Sequence, residues 1–511
     1  MRGRHGQAID IIRDGSIGQS PEIEWQTKRE PQGNSRDMEE EVMHSFDLVV
    51  RGGHVVTPRV GLVRTDVGVR AGKVAALGLD LSAEAGQTID AAGLWVFPGL
   101  IDPHVHLGNH FPFAQELATE TRSAAFGGVT TLITTVRRES FGRPPQPYTT
   151  FFKDALKQLS GVPSIDWASH FTISPSSPLD EVQACYEELG TQSYKIWLSN
   201  RDREIDRGMG LDGFMHFLQL VAKMPHRPIV LVHAEDDEIV RGATANARAA
   251  KLEGLAAWNA ARPNLAEELS IRAVCRLARL TGVTVYIVHV STREGAQVIA
   301  EEQRNGAPVI GETTSHHLTL TTDTAGVMAK VSPPVREKAD VDALWEELRR
   351  GTITTIGSDH VTKTKAAKEG GIWDCGPAFP GMETLLPVVL TGCRRRGLPV
   401  ETLAEACSLN VAKTFGLYPR KGHLGIGADA DFVLVDPEQR RVIRVEDLHS
   451  IANFSPYDGM ETLGWPVTTV LRGRVVVRDG QLVADSTGSF VPSYPQGLSV
   501  NERNEAVLSR R

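Results

Sequence analysis

Two histidines stand one residue apart at the end of an apolar run, in VFPGLIDPHVHLGNH (96–110). If that run is a strand, His104 and His106 share a face, because side chains alternate along a strand. Further along, Lys195, His233, His289 and Asp359 each fall toward the carboxyl end of a short β-rich run: SYKIWLS (193–199), PIVLVHAE (228–235), VTVYIVHVS (283–291) and TITTIGSDH (352–360). Imidazole nitrogens and carboxylate oxygens are the usual ligands of Zn²⁺ and related divalent ions. A lone histidine at a strand end is more often a satisfied polar residue than a ligand. Four of them with an aspartate, on strands whose ends meet in space, point to a metal site. Lys195 on its own reads as a lysine reaching to solvent at a rim. Among metal ions its ammonium would be repelled, so a lysine inside the site has to be neutral or chemically altered. Carboxylation by CO₂ meets that demand, since the carbamate is anionic and has two oxygens with which to bridge two metals.

The elements that must position these groups alternate between strand and helix. Beside the runs above come TTLITT (130–135), DWASHFTI (166–173) and PVIGETT (308–314), and with the run ending at His106 they make eight. Amphipathic stretches such as EELSIRAVCRLARL (267–280), GAQVIAEEQRN (295–305) and DALWEELRRG (342–351) connect them. Eight βα repeats over roughly 300 residues predict a (β/α)8 TIM barrel, whose active-site face lies at the carboxyl ends of its strands. An open doubly wound sheet is the alternative, but no G-x-G-x-x-G follows the first strand. A last helix is expected over 400–416. Short alternating strands with Gly-containing turns precede the barrel from Phe46, and the same texture returns in ADADFVLVDP (428–437) and TTVLRGRVVVRDGQLV (468–483). We therefore expect an α/β protein with a small β-sandwich domain formed by 46–96 and 418–486 around a metal-binding barrel at 97–417. Residues 1–45 read as a disordered extension, with Met38 and Met43 as alternative starts of translation, and 487–511 as a C-terminal tail.

Bulk properties narrow the function classes. The chain has 511 residues, 41% hydrophobic and 23% charged, as expected of a soluble globular protein with more than one core. A net charge of −8 argues against nucleic acid or an anionic membrane as partner. No apolar run reaches the ~20 residues that span a bilayer, and the N-terminus lacks a signal-peptide core. Five scattered cysteines, at 185, 275, 375, 393 and 407, form no CxxC pair. They predict reduced thiols and a cytoplasmic location.

On the residues PGLIDPHVH (98–106), ETRSAAFGGVTT (120–131), YKIW (194–197), VHAEDDEIV (232–240), VHVSTREG (288–295), GETTSHHLTL (311–320), KVSPPVREK (330–338), GSDH (357–360), PGMETLLP (380–387) and NVAKTFGLYPRKGHLGIGADADFVLVDP (410–437), the chain resembles the amidohydrolase superfamily. The branch it is similar to is that of the cyclic amidases: hydantoinases, dihydropyrimidinases, allantoinases and dihydroorotases. The resemblance runs from about Phe46 to about Gly480. It implies that His104, His106 and Asp359 hold the more buried metal, His233 and His289 the second, and carboxylated Lys195 both. Zinc, manganese and iron all suit these ligands. Asp359 would take the proton from the attacking water and return it to the leaving nitrogen. A homo-oligomer, tetramer or dimer, is also implied.

The substrate signals divide. Leu107-Gly108-Asn109-His110-Phe111 replaces the segment where dihydroorotases and allantoinases usually carry an Arg, and Phe111 is similar to an apolar hydantoinase residue. Ser332 matches a serine whose backbone contacts the ring amide in the family, and reads equally as a plain turn residue before two prolines; Pro377 stands roughly where relatives often carry an Asn. His316-His317 resembles the dihydroorotase pattern, but reads first as a hydrogen-bonded pair at a strand end. Asn200 stands where D-selective enzymes have a Tyr, Thr314-Ser315 replaces a Cys-Pro, and the loop 199–213 is charged rather than aromatic. The expectation is a hydantoin- or dihydropyrimidine-type cyclic amide, with allantoinase, dihydroorotase or cyclic imidase activity as alternatives. A non-enzymatic scaffold would lack one of the six ligands, and a mononuclear deaminase would lack Lys195.

Overall fold

The computed structural model describes residues 45–81, 85–137, 147–175, 177, 181–199 and 208–493. The expected extension over 1–45 falls outside them save for Ser45, as do Asn200 and most of the charged loop after the fourth barrel strand.

Eight parallel strands follow one another in chain order: Leu100–His106, Val129–Val136, Asp166–Thr172, Ser193–Trp197, Ile229–His233, Val285–Ile287, Val309–Thr314 and Ile353–Gly357. Each pairs with its sequence neighbour. The ring closes through a break: the eighth strand stops at Gly357 and resumes as His360–Val361, which pairs with Val105 and His106 of the first. At this seam the buried Asp102 carboxylate accepts from the backbone N–H of His104 (3.2 Å) and of Ser358 (3.1 Å). These strands are buried along both faces, as parallel strands covered on both sides are. One face packs inward around Ile101, Ile133, Ala168, Leu231 and Tyr286, and the other against the surrounding helices.

The 400–416 segment closes the amino-terminal end of the barrel. It is not one α-helix: Glu401–Ala404 and Asn410–Thr414 flank a π-turn at Glu405–Leu409. The widened turn carries Ser408, whose hydroxyl donates to the Gly99 carbonyl at the start of the first strand (3.2 Å). π-bulges recur where a backbone must yield to a local contact.

Beside the barrel lie a four-stranded sheet (Lys73–Gly78, Asp66–Arg70, Phe46–Arg51, Ala85–Asp90) and a seven-stranded one. The larger sheet combines Trp95–Pro98 and His54–Thr57 with Phe432–Val442 and Glu461–Leu471, so chain on both sides of the barrel builds it. Leu48, Val50, Val67 and Val69 meet Val96, Phe432, Leu434 and Val470 to form the sandwich core. A buried ion cluster fastens the sandwich to the barrel. Lys421 Nζ lies 2.5 Å from Asp431 and 2.8 Å from Asp166 on the third barrel strand, and Arg472 also pairs with Asp166. The described start of the C-terminal tail runs along the same strand, where Ser489 O accepts from Trp167 N–H (3.0 Å) and Phe490 packs on the Trp167 ring.

Candidate metal centre and substrate cavity

Each ligand candidate except Lys195 sits at or just past the end of its strand. His104 and His106 occupy the last positions of the first strand that point one way, Lys195 is central in the short fourth, and His233 is the final residue of the fifth. His289 and Asp359 lie just past regular strand structure, and both adopt left-handed backbone, with φ of 44° and 49°. For non-glycine residues that conformation is strained, and such strain gathers at functional sites.

The imidazoles are fixed from behind. His104 donates from Nδ1 to Glu312 Oε1 (2.8 Å), which leaves Nε2 facing Asp359 Oδ1 (3.3 Å) and Lys195 Nζ (3.4 Å). His106 Nδ1 bonds Thr135 Oγ1 (2.6 Å) and presents Nε2 to the same Asp359 oxygen (2.9 Å). His233 donates from Nε2 to Glu235 Oε2 (2.8 Å), itself gripped by Arg262, and turns Nδ1 toward His289 Nε2 at 2.9 Å. Glu312 also accepts from the His289 backbone N–H (3.0 Å) and from the Tyr286 hydroxyl (2.8 Å), so one buried carboxylate sets both His104 and His289. A histidine bonded through its far nitrogen to a carboxylate or hydroxyl is the arrangement that orients metal ligands.

Burial favours the uncharged form of three of these imidazoles: His106 is pushed down to about 4, and His233 and His289 are also lowered, chiefly by desolvation. Neutral imidazole is the form that binds metal. Burial drives Asp359 upward, yet His104, His106 and His316 outweigh it and hold the carboxyl well below its ordinary range. Lys195 is fully buried, and the one hydrogen bond of its Nζ among the described residues is the long contact to His104. Desolvation lowers its ammonium to about 8 despite Asp359 and Glu312. The ligand atoms of His104, His106 and Asp359 lie within 4.8 Å of one another, a donor set that suits a divalent ion.

Lys195, His106, His233, His289 and Asp359 open onto one cavity of about 420 Å³. Ser332 and Pro377 line it too, with Trp197, Asn109, Arg137 and Lys363. Phe111 does not; it is half-buried beside the cavity, where its N–H donates to Glu116 (3.0 Å). His316 and His317 lie outside the lining. His317 is hydrogen-bonded to Thr314 (2.8 Å) as the strand-end reading expects, whereas His316 has no hydrogen-bond partner among the described residues. The residues missed from sequence are the supports Glu312, Glu235, Thr135 and Asp102. Glu235 was within reach, because it lies two residues after His233 on the same face.

The Amidohydrolase family pattern matches residues 230–476. The L-hydantoinase of Paenarthrobacter aurescens is 33% identical to this chain, covering 87% of it and 98% of its own length. This chain belongs to the amidohydrolase family, in its cyclic-amidase branch. Among other relatives of this amidohydrolase, the allantoinase of Rubrobacter xylanophilus is 36% identical over 88% of the chain and 98% of its own. A crystal structure of a D-hydantoinase superposes with a TM-score of 0.80 at 28% identity, over 88% of this chain and 99% of that one. The TIM barrel with its β-sandwich is thus the architecture of the solved relative as well.

Proposed function

We propose that this amidohydrolase opens the ring amide of a hydantoin- or dihydropyrimidine-type cyclic amide to an N-carbamoyl amino acid. The observation that carries the reading is the convergence of His106, His233, His289, Asp359 and the buried Lys195 amine on one cavity, with His104 held just behind them against Lys195 and Asp359. His104, His106 and Asp359 would hold one divalent ion, and His233 and His289 a second, with Lys195 as its carbamate between them; zinc, manganese or iron would serve. When bound, such a pair supplies a hydroxide near neutral pH and polarises the scissile carbonyl. Lys195 suits carbamate formation because only a neutral amine attacks CO₂, and burial favours that form. Asp359 accepts the proton of the water that adds to the carbonyl carbon. It delivers that proton to the ring nitrogen as the C–N bond breaks. Ser332 and Pro377 border the cavity and would position the ring amide, with Phe111 nearby.

A second reading, an allantoin-type ureide as substrate, draws support from the 36% identical allantoinase and from the polar lining given by Asn109, Arg137 and Lys363. A cytoplasmic location fits the five buried cysteines, none of which is in a disulfide; a homo-oligomer, tetramer or dimer, is proposed from the family resemblance alone. The test is a ring-opening screen of the metal-loaded protein. It should cover hydantoins of both hands, dihydrouracil, allantoin, dihydroorotate and cyclic imides. A carbamoyl product from a hydantoin or dihydrouracil is expected; turnover of allantoin alone selects the second reading. No ring opening with both ions bound overturns the proposal.

A further inference from the structure

Two loops wall the cavity where substrate would enter, Lys330–Ser332, which lines it through Val331 and Ser332, and Gly376–Ala378, which lines it through Pro377 and Ala378; neither belongs to a strand or helix. Ala378 holds φ of 79°, a conformation an alanine keeps only when its surroundings impose it. What imposes it is a set of buried lysines acting on backbone carbonyls. Lys368, only 1% exposed, donates from Nζ to Lys330 O (2.9 Å), Gly376 O (3.1 Å) and Ala378 O (3.0 Å). Lys363 Nζ donates to Pro377 O (2.7 Å), and Lys330 Nζ to Ile372 O and Cys375 O (both 2.5 Å). The two walls also touch directly, through Ala378 N–H to Lys330 O (2.9 Å).

An ammonium has three donors, and all three of Lys368 go to carbonyls, one on the first wall and two on the second. Among the described residues no carboxylate pairs with it. Burial, with Lys363 and Lys330 close by, pushes Lys368 down to about 7. An amine here without a counter-ion is therefore costly in its charged form, and an apolar side chain would serve packing better. Accordingly, we propose that Lys368 is a positioning residue for substrate, a bolt that fixes the spacing between Ser332 and Pro377. The inference rests on the reading of this cavity as the substrate site.

Steady-state kinetics of Lys368→Met and Lys368→Arg, with metal content measured alongside, test it. Turnover of a cyclic amide by the wild type secures the underlying reading first; its absence would fail that reading rather than this one. In Lys368→Met, KM is expected to rise tenfold or more while kcat stays within about threefold and metal content is unchanged. Lys368→Arg, which keeps the charge and donors, should recover part of the KM. An unchanged KM in folded, metal-loaded Lys368→Met overturns the proposal, as does a fall in kcat alone. If Lys368→Met does not fold, Lys368→Gln is judged by the same criteria, and failure of both to fold assigns Lys368 to folding and overturns the positioning role.

Discussion

A ligand histidine offers a metal only the nitrogen its partner leaves exposed. Here the partners are carboxylates and a hydroxyl: Glu312 for His104 and Thr135 for His106, both from other strands, and Glu235, two residues along the chain, for His233. Glu312 is the most heavily committed, since it also receives the His289 backbone and the Tyr286 hydroxyl. Removing such a support costs roughly 10–100-fold in metal affinity. Glu312→Ala should therefore weaken binding at both ion positions by about that factor, read by chelator competition on the folded protein. Wild-type affinity in the variant would show that His104 and His289 orient themselves.

At the scale of elements, the break in the eighth strand does the positioning. Gly357 ends that strand, and a Cβ there would come within 2.9 Å of His104 Cβ and 3.3 Å of Glu312 Oε2. His104 is locked by the seam through Asp102, so it has little room to yield. Overpacking of this sort costs about 1–3 kcal/mol. Gly357→Ala should fold, with a modestly lower Tm, but lose most activity because His104 is displaced; a variant of full activity would show the ligand shell to be tolerant. The strands themselves were readable from sequence, since all eight are short β-rich runs and the ligands fall on five of them, all but Lys195 at or just past the carboxyl end. The supports were not, because Glu312 and Thr135 pair with histidines on other strands, and only the barrel's curvature brings them together. Nor did periodicity announce the π-turn at Glu405–Leu409, whose pattern is that of an α-helix within one residue.

For the molecule as a whole, barrel and sandwich share the charged cluster at Lys421. That ammonium is buried among Asp166, Asp429 and Asp431, and the three carboxylates hold its pKa above the ordinary lysine range against the effect of burial. Breaking a buried pair by removing one partner costs about 3–5 kcal/mol. Lys421→Met should lower the unfolding free energy by that order in a denaturant titration, while the protein that remains folded keeps its metal content. A loss below about 1 kcal/mol would mean that apolar packing, not this cluster, joins the two parts.

The central claim is that Lys195 stands between two ions as a ligand. Its most direct test is the metal content per subunit of wild type and Lys195→Ala, purified and loaded identically with a divalent ion and bicarbonate. The account predicts about two tightly held ions in the wild type and at most about one in the variant, with ring opening lost. Two tightly held ions and near-normal turnover in Lys195→Ala would contradict it.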